Sequence, residues 1–281
     1  MYRESGMITS PANERLKQAR RVREGRESGQ MFVEGERLIE SCLSSPVRLL
    51  SCFHSSELTP RGRAIIDEVG RRGCPLFEMA DPVFATVSDT VSPQGIILIA
   101  ERPDCQLGRV LAGRSDRVPL VVGIDGVQDP GNFGTIIRTA EAAAATGIVA
   151  LRGSVDPFAP KTLRGSMGSA FRLPLVSDLT PASLLAASAQ FALCPVATSA
   201  EGDLSYTEYD WCQPTLLLLG NEGSGISREL MEHAAHRIRI PLSPPVESLN
   251  VAAAAAVILF EAARQRRGRT GRPERSTASS G

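Results

Sequence analysis

The sequence predicts an α/β protein made of two units, the second of them built on a parallel β-sheet. Three observations support this fold class. Short apolar stretches alternate with helix-forming stretches along most of the chain. The stretch VPLVVGIDGV (118–127) is apolar almost without interruption, as in strands that are buried on both faces of a parallel sheet. The length of 281 residues exceeds that of one typical domain.

The first unit is predicted to span residues 1–100 and to alternate short strands with helices. Residues 11–29 have a proline at the start and a glycine at the end, which predicts an exposed helix. The stretch MFVEGERLIESCL predicts a strand, a glycine-containing turn and the start of a helix. Further strands are predicted in VRLLSCFH, CPLFEM and GIILIA, with a helix in RGRAIIDEVGRRG. Residues 101–117 lack a clear period and are predicted to be a linker.

The second unit is predicted to span residues 118–267. After its first strand, DPGN predicts a turn, and FGTIIRTAEAAAATG predicts a helix closed by Gly147. The alternation continues through IVAL, LLAASAQFAL, TLLLLG and SRELMEHA. The last helix, VAAAAAVILFEAARQRR, is apolar on nearly all sides, which predicts that it is buried. The tail 268–281 is predicted to be disordered.

Composition places the chain among ordinary globular proteins. Hydrophobic residues make up 42% and charged residues 22% of the chain. No cationic start is followed by an apolar core, and the most apolar runs are interrupted or too short to span a bilayer. We therefore expect a cytoplasmic protein without membrane contact.

The cysteines and histidines do not form a metal-binding pattern. The six cysteines are scattered without a C-x-x-C pair, which predicts reduced thiols and neither disulfides nor a zinc site. His233 and His236 could share one face of a helix, but no carboxylate or cysteine joins them at ligand spacing. No metal is expected.

The charge pattern leaves two interpretations open. Formal net charge is zero, but basic residues cluster at 15–26 and at 264–275. These clusters are either solvated ends of the chain or phosphate-binding surfaces.

A glycine-rich stretch, LLLLGNEGSGIS at 216–227, follows an apolar strand and suggests a nucleotide-like ligand. A phosphate-binding P-loop is excluded because the loop offers Glu222 where that motif needs a lysine. A Rossmann site is excluded by the order of the segments, because its glycine turn follows the first strand of a domain, whereas this loop follows a late strand and is followed about twenty positions later by IPLSPPVESLN. A tight turn without a ligand stays open on the loop alone.

Three segments taken together are more specific than the glycine loop. NFGTIIRTAEAAAATG, LLLLGNEGSGIS and IPLSPPVESLNVAAAAAVILFEAARQ resemble, in order, the three motifs of the SpoU/TrmH family of RNA ribose 2′-O-methyltransferases in the SPOUT superfamily. FVEGERLIESCL resembles the start of the small α/β RNA-binding domain that precedes the catalytic domain in family members. The resemblance implies a parallel-sheet catalytic domain with a C-terminal trefoil knot, and a homodimer formed through the knot.

The resemblance also implies that the second unit binds S-adenosylmethionine. The positions that match the family's cofactor contacts are Gly220, Ile240 and Leu249, with Leu219 and Gly223 beside them in the glycine loop. Glycine allows the backbone to approach a ligand closely, and the two aliphatic side chains can form an apolar wall for adenine.

The family's polar positions fall on Asn132, Arg138, Glu222, Ser248 and Asn250. Each has an alternative interpretation. The asparagines and the serine could cap helices, and the glutamate could simply be exposed. The arginine lies in the middle of a helix. Its guanidinium stays protonated, so we expect it to clamp a phosphate or stabilise a developing alkoxide, and not to act as a base.

The implied reaction is methyl transfer to a ribose 2′-hydroxyl of RNA, without a metal. The N-terminal domain favours ribosomal RNA over tRNA, since compact tRNA-type family members lack such a domain. Two alternatives stay open: a tRNA ribose methyltransferase, and a non-catalytic RNA-binding or ribosome-assembly protein that shares the fold.

Overall fold

The computed structural model describes residues 6–113 and 115–270, and the chain divides into two compact units. The first contains Met1–Cys105, Gln128–Arg138 and Val155–Pro174, and the second contains Gln106–Val127, Thr139–Ser154 and Leu175–Gly281. This division differs from the predicted boundaries, because two later segments group with the N-terminal part. In the described residues, no helix is both long and apolar enough to cross a membrane.

The N-terminal part of the first unit confirms the predicted alternation of helices and strands. Its elements are α1 (Glu14–Arg23), β1 (Gln30–Glu34), α2 (Glu36–Leu43), β2 (Leu49–Ser55), α3 (Pro60–Arg71), β3 (Leu76–Met79), α4 (Asp81–Val87) and β4 (Ile96–Glu101). The strands form one sheet in the order β1-β4-β2-β3. Strand β4 is antiparallel to β1 and β2, whereas β2 and β3 are parallel.

Helix α1 packs its apolar face on this sheet. Leu16, Ala19 and Val22 join one buried cluster with side chains of the sheet, among them Phe32 and Phe53. The spacing of these three residues follows the helical period. The helix is shorter than the predicted 11–29. It ends at Arg23, two residues before a glycine with a positive φ of 72°.

The second unit and the two segments grouped with the first contain the remaining elements. They are α5 (Leu107–Ala112), β5 (Leu120–Asp125), α6 (Pro130–Ala142), β6 (Gly147–Leu151), α7 (Pro160–Ser166), β7 (Leu175–Leu179), α8 (Pro181–Gln190), β8 (Cys194–Thr198), β9 (Leu204–Ser205), β10 (Thr215–Gly220), α9 (Arg228–His233), β11 (His236–Arg239) and α10 (Val251–Thr270). A short 3₁₀ helix covers Ser169–Phe171.

The predicted parallel sheet is confirmed. Seven strands lie in the order β7-β6-β5-β10-β8-β11-β9, and the paired strands run parallel. Every residue of the central strands β5 and β10 is buried. This explains why both read as continuous apolar runs.

Three local predictions need correction. The DPGN segment is not a separate turn, because α6 begins at Pro130. Helix α5 lies inside the predicted linker 101–117. Residues 268–270 of the predicted tail belong to α10, while 271–281 lie outside the described residues.

The last helix is not buried on nearly all sides. Ala253, Val257 and Phe260 are exposed, and the side chain of Phe260 keeps 47% of its surface accessible. The opposite face of α10, with Ala255 and Leu259, is buried. An exposed apolar stripe therefore runs along the helix.

We expect the thiols to differ in reactivity because burial separates them into two groups. Burial raises the pKa of Cys74 to about 11 and that of Cys42 to about 12, and Cys52 is fully buried. Since the thiolate is the reactive form, a rise to about 11 reduces the thiolate fraction at pH 8 roughly 100-fold. Alkylation of the native protein with iodoacetamide at pH 8, followed by peptide mass spectrometry, should first modify the three half-buried cysteines, Cys105, Cys194 and Cys212. Early modification of Cys52 would contradict the packing described here.

Candidate functional site

A groove of about 450 Å³ lies at the carboxyl ends of strands β8, β10 and β11 in the second unit. We call it the strand-end groove. It is lined by the loop after β10 (221–226), by the segment after β11 (240–249) and by the first half of α10. Ligands of open parallel sheets bind outside the carboxyl ends of the strands. The groove has the volume of an ordinary small-molecule site.

The glycine loop is a tight hairpin that closes on itself. The backbone N–H of Asn221 donates to the carbonyl of Gly225 at 2.9 Å, and the reverse bond measures 3.0 Å. The Asn221 side chain accepts from the N–H groups of Gly223 (2.8 Å) and Ser224 (3.0 Å). Its amide also donates to the carbonyl of Gly126 at 2.7 Å, which ties the hairpin to the end of β5. One side chain thus fixes the shape of the loop.

Gly220 permits the hairpin to close over the end of β10. A Cβ atom at this position would lie 2.3 Å from the carbonyl carbon of Gly225 and 2.4 Å from the nitrogen of Ile226. Both neighbours are backbone atoms, so no side-chain movement could relieve the overlap. Only glycine fits.

Asp125 makes a second contact at the carboxyl ends of the strands. Its carboxylate, at the end of β5, accepts from the backbone N–H of Ser227 at 2.6 Å. The Ser227 hydroxyl is buried and lacks a hydrogen-bond partner among the described residues. Asp125 and Asn221 were not among the residues predicted from the sequence. Their signals were an aspartate that ends an apolar strand and an asparagine inside a glycine turn, where Asx turns are common.

The structure brings seven of the ten predicted site residues to the strand-end groove. These are Leu219, Gly220, Glu222, Gly223, Ile240, Ser248 and Leu249. Ile240 and Leu249 line the groove together with Leu242 and Ile258, and these four side chains form an apolar part of its wall. Glu222 and Ser248 are exposed.

Asn250 caps α10, as the capping interpretation expected. Its side-chain oxygen accepts from the N–H of Ala252 at 2.9 Å and from that of Ala253 at 3.3 Å. Such a cap satisfies donors that the first turn of a helix leaves open. The cap holds Asn250 at the end of the segment that lines the groove.

Asn132 and Arg138 lie on α6, in the part of the chain grouped with the first unit. The capping interpretation of Asn132 is wrong, because the Asp129 carboxylate accepts the Asn132 N–H at 2.7 Å and caps the helix in its place. Asn132 is half-buried, whereas Arg138 is exposed.

Helix α6 makes a close crossing with α7 at two glycines. A Cβ atom on Gly134 would lie 2.6 Å from the carbonyl oxygen of Thr162 and 2.8 Å from the Cα of Gly165. The two backbones therefore touch within one turn of Asn132. This contact fixes the position of the helix that carries both predicted residues.

Replacing Asn221 with alanine should loosen the hairpin without unfolding the protein. The change removes three hydrogen bonds of a half-buried side chain, and we expect it to lower the free energy of unfolding by about 1–3 kcal/mol. Urea denaturation followed by circular dichroism measures this loss. Asn221→Asp is the matched variant, since it keeps the acceptor for Gly223 and Ser224 but loses the donor to Gly126. An unfolding energy of Asn221→Ala equal to that of the wild type would show that the side chain does not hold the loop.

Comparison with family models gives two matches. The model of the SpoU rRNA Methylase family matches residues 119–260, and the model of the MRM3-like substrate binding domain matches residues 13–98.

Similar proteins cover nearly the whole chain. An uncharacterized tRNA/rRNA methyltransferase of Synechocystis sp. is 32% identical over 92% of this chain and 93% of its own. The 23S rRNA (guanosine(2553)-2′-O)-methyltransferase RlmP of Bacillus subtilis is 30% identical over 90% of this chain and 97% of its own. The crystal structure of the SpoU methyltransferase AviRb from Streptomyces viridochromogenes with AdoMet superposes with a TM-score of 0.81, at 30% identity, over 91% of this chain and 100% of that chain.

Proposed function

Because the chain belongs to the SpoU rRNA methylase family, we propose that it transfers a methyl group from S-adenosylmethionine to a ribose 2′-hydroxyl of large-subunit ribosomal RNA. The observation that carries this proposal is the strand-end groove, which combines a closed glycine hairpin with an apolar wall. Similarity to a 23S rRNA methyltransferase along nearly the entire chain supports ribosomal RNA as the substrate. The AdoMet-bound AviRb structure supports S-adenosylmethionine as the cofactor.

The residues of the groove fit an adenosine-bearing cofactor. The side chains of Ile240 and Leu249 offer apolar contact to a purine ring, while the exposed hairpin offers backbone groups to its polar edge and to a ribose. Gly220 and Gly223 let this backbone come close, and Leu219 lines the groove beside them. When bound, S-adenosylmethionine supplies a methyl group on a positively charged sulfur, which a ribose oxygen can displace.

The chain's polar residues then act on the ribose. A 2′-hydroxyl becomes a good nucleophile only as it loses its proton, so negative charge grows on its oxygen. The guanidinium of Arg138 stabilises that charge or holds the adjacent phosphate, while the proton leaves to a phosphate oxygen or to solvent. In this proposal Asn132, Glu222, Ser248 and Asn250 orient the ribose toward the methyl group.

The two predicted domains divide the work in this proposal. Residues 1–100 select the RNA, with the MRM3-like match at 13–98 in support, and residues 118–267 hold the cofactor. In this proposal the protein acts in the cytoplasm, on ribosomal RNA that is being assembled into ribosomes.

The experiment that tests the function uses the purified protein, S-adenosylmethionine with a labelled methyl group, and separate pools of ribosomal RNA and tRNA. We expect label in 23S rRNA at one 2′-O-methylated nucleotide, which primer extension at low nucleotide concentration then maps. Label in tRNA alone would favour the tRNA alternative. Absence of label in both pools, with cofactor binding intact, would favour the non-catalytic alternative.

A trefoil knot and a homodimer belong to the same proposal. The knot is supported by the shared groove, in which the loop after β10 and the segment after β11 meet beside α10. The dimer is supported by the exposed apolar stripe of α10 and by Val246 and Leu249, which are 54% and 38% exposed. Exposed apolar patches of this kind mark interaction surfaces.

We expect light scattering at micromolar concentration to give twice the 30.0 kDa mass of the chain. Phe260→Glu places a charge in the apolar stripe and should yield monomers, because an unpaired charge in an interface core is costly. Phe191→Glu, at another partly exposed phenylalanine, should leave the dimer intact. A monomeric wild type would exclude the dimer.

A further inference from the structure

A second groove, of about 330 Å³, lies in the first unit between α1 and one end of the four-stranded sheet. We call it the α1 groove. Helix α1 lines it with Arg15 and Gln18, and the sheet lines it with Gln30, Ser51 and Phe77. The proposed methyl transfer uses none of these residues. The volume is sufficient for a small planar ligand.

One side of the α1 groove is a stack of flat groups. The guanidinium carbon of Arg15 lies 4.4 Å from the centre of the Phe77 ring, and that ring lies 5.3 Å from the ring of Phe53. Phe77 is only half-buried, so the stack borders open space. Proteins hold unstacked RNA bases on aromatic rings and on guanidinium planes of this kind.

Gln30, which lines the groove, carries a polar atom whose partner is missing from the described residues. The side-chain oxygen Oε1 of Gln30 is buried and accepts no hydrogen bond there. The backbone of Gln30 is held in place, since its carbonyl accepts from Nε of Arg102 at 2.9 Å. A buried acceptor without a donor is costly, and a ligand that carries an N–H group would satisfy it.

We propose that the α1 groove binds one unpaired base of the RNA substrate. The base stacks on the Arg15–Phe77 pair and donates an N–H group to Oε1 of Gln30, either an exocyclic amine or, in guanine and uracil, the ring imino group. That the base belongs to RNA rests on the proposed function. A phosphate group can pair with the guanidinium of Arg15, but it gains nothing from the aromatic rings.

The test is a titration of the full-length protein, labelled with ¹³C at leucine and isoleucine methyl groups, with mononucleotides. S-adenosylhomocysteine is added first to fill the strand-end groove, and the methyl signals of Ile240 and Ile258 report its binding. We expect adenosine 5′-monophosphate to shift the methyl signals of Leu50 and Ile99, which line the α1 groove. Ribose 5-phosphate, which has no base to stack on Phe77, should shift them much less.

Two variants separate stacking from the hydrogen bond. Gln30→Met keeps the volume of the side chain but removes the hydrogen-bond acceptor. It should lower the affinity for adenosine 5′-monophosphate about tenfold. Arg15→Lys keeps the positive charge but removes the planar guanidinium group. It should also lower the affinity for adenosine 5′-monophosphate. Lys17→Gln is the control on the same helix, since Lys17 pairs with Glu14 and does not line the groove.

Equal shifts from adenosine 5′-monophosphate and ribose 5-phosphate would overturn the proposal, as would no shift at Leu50 and Ile99, or unchanged binding in both variants. The assay with ribosomal RNA is independent of this titration. If the wild type methylates no RNA, the proposed function fails while the titration still decides whether the groove takes a base. If methylation occurs, Gln30→Met should raise the KM for RNA and leave the affinity for S-adenosylmethionine unchanged.

Discussion

Replacing Arg138 with alanine is expected to lower the rate of methyl transfer about 10²–10³-fold while the affinity for S-adenosylmethionine stays nearly unchanged. The residue lies on α6, which does not line the strand-end groove, so its loss removes no contact of the cofactor wall. Its charge matters where negative charge develops on the ribose oxygen or on the adjacent phosphate. The side chain is exposed, and alanine is the best helix former, so the helix should persist.

The measurement pairs single-turnover methylation of ribosomal RNA with calorimetry of cofactor binding. Arg138→Lys should rescue the rate poorly, because a point charge does not reproduce the planar fork of guanidinium. Arg152→Ala is the matched control, since Arg152 is an exposed arginine that pairs with Asp178 away from the groove. Equal loss of rate and cofactor affinity in Arg138→Ala would assign this arginine a structural role, and an unchanged rate would remove it from the active site.

Replacing Gly220 with alanine is expected to weaken S-adenosylmethionine binding about 10–100-fold, and methyl transfer at limiting cofactor should fall with it. The added methyl group would overlap backbone atoms of Gly225 and Ile226, so the hairpin must move. Because the hairpin forms one side of the strand-end groove, its displacement disturbs the site directly.

The matched control is Gly108→Ala, on α5 in the same unit. There a Cβ atom would meet only the ring of Phe191 at 3.5 Å, an ordinary contact. This variant should bind the cofactor as the wild type does and should fold at least as stably, since alanine favours helix over glycine. Calorimetry of both variants decides the matter. Wild-type cofactor affinity in Gly220→Ala would mean that the hairpin does not contact the ligand.

Elements with a strong local pattern were predictable, and those held mainly by their neighbours were not. The turn at Gly35, with a φ of 99°, was readable because only glycine adopts it readily between a strand and a helix. Strand β11 was not predicted, because only Ile238 of its four residues is buried and the segment therefore has no clear apolar pattern. It is held in the sheet by its pairing with β8 and β9. Helix α4 was not predicted either, because its seven residues are too few to show a clear helical period.

The candidate site shows the same division. The glycine loop, the segment 240–249 and α10 were all marked by the sequence motifs, and the structure gathers them around one groove. The corrections at Asn132 and on the outer face of α10 have a common cause. Whether a residue caps a helix or lies buried depends on where the helix begins and on what packs against it.

By itself, the sequence determined the parallel sheet, the glycine at the end of β10 and the order of the three motifs, because each is a local pattern of side-chain size and polarity. Only the tertiary structure decided which groups meet. Asn221 bonds to Gly126 across 95 positions, and Asp125 bonds to Ser227 across 102. The structure also showed that Oε1 of Gln30 is buried without a hydrogen-bond partner among the described residues. Contacts at such separations depend on how whole strands and helices pack, and no local period of the chain encodes them.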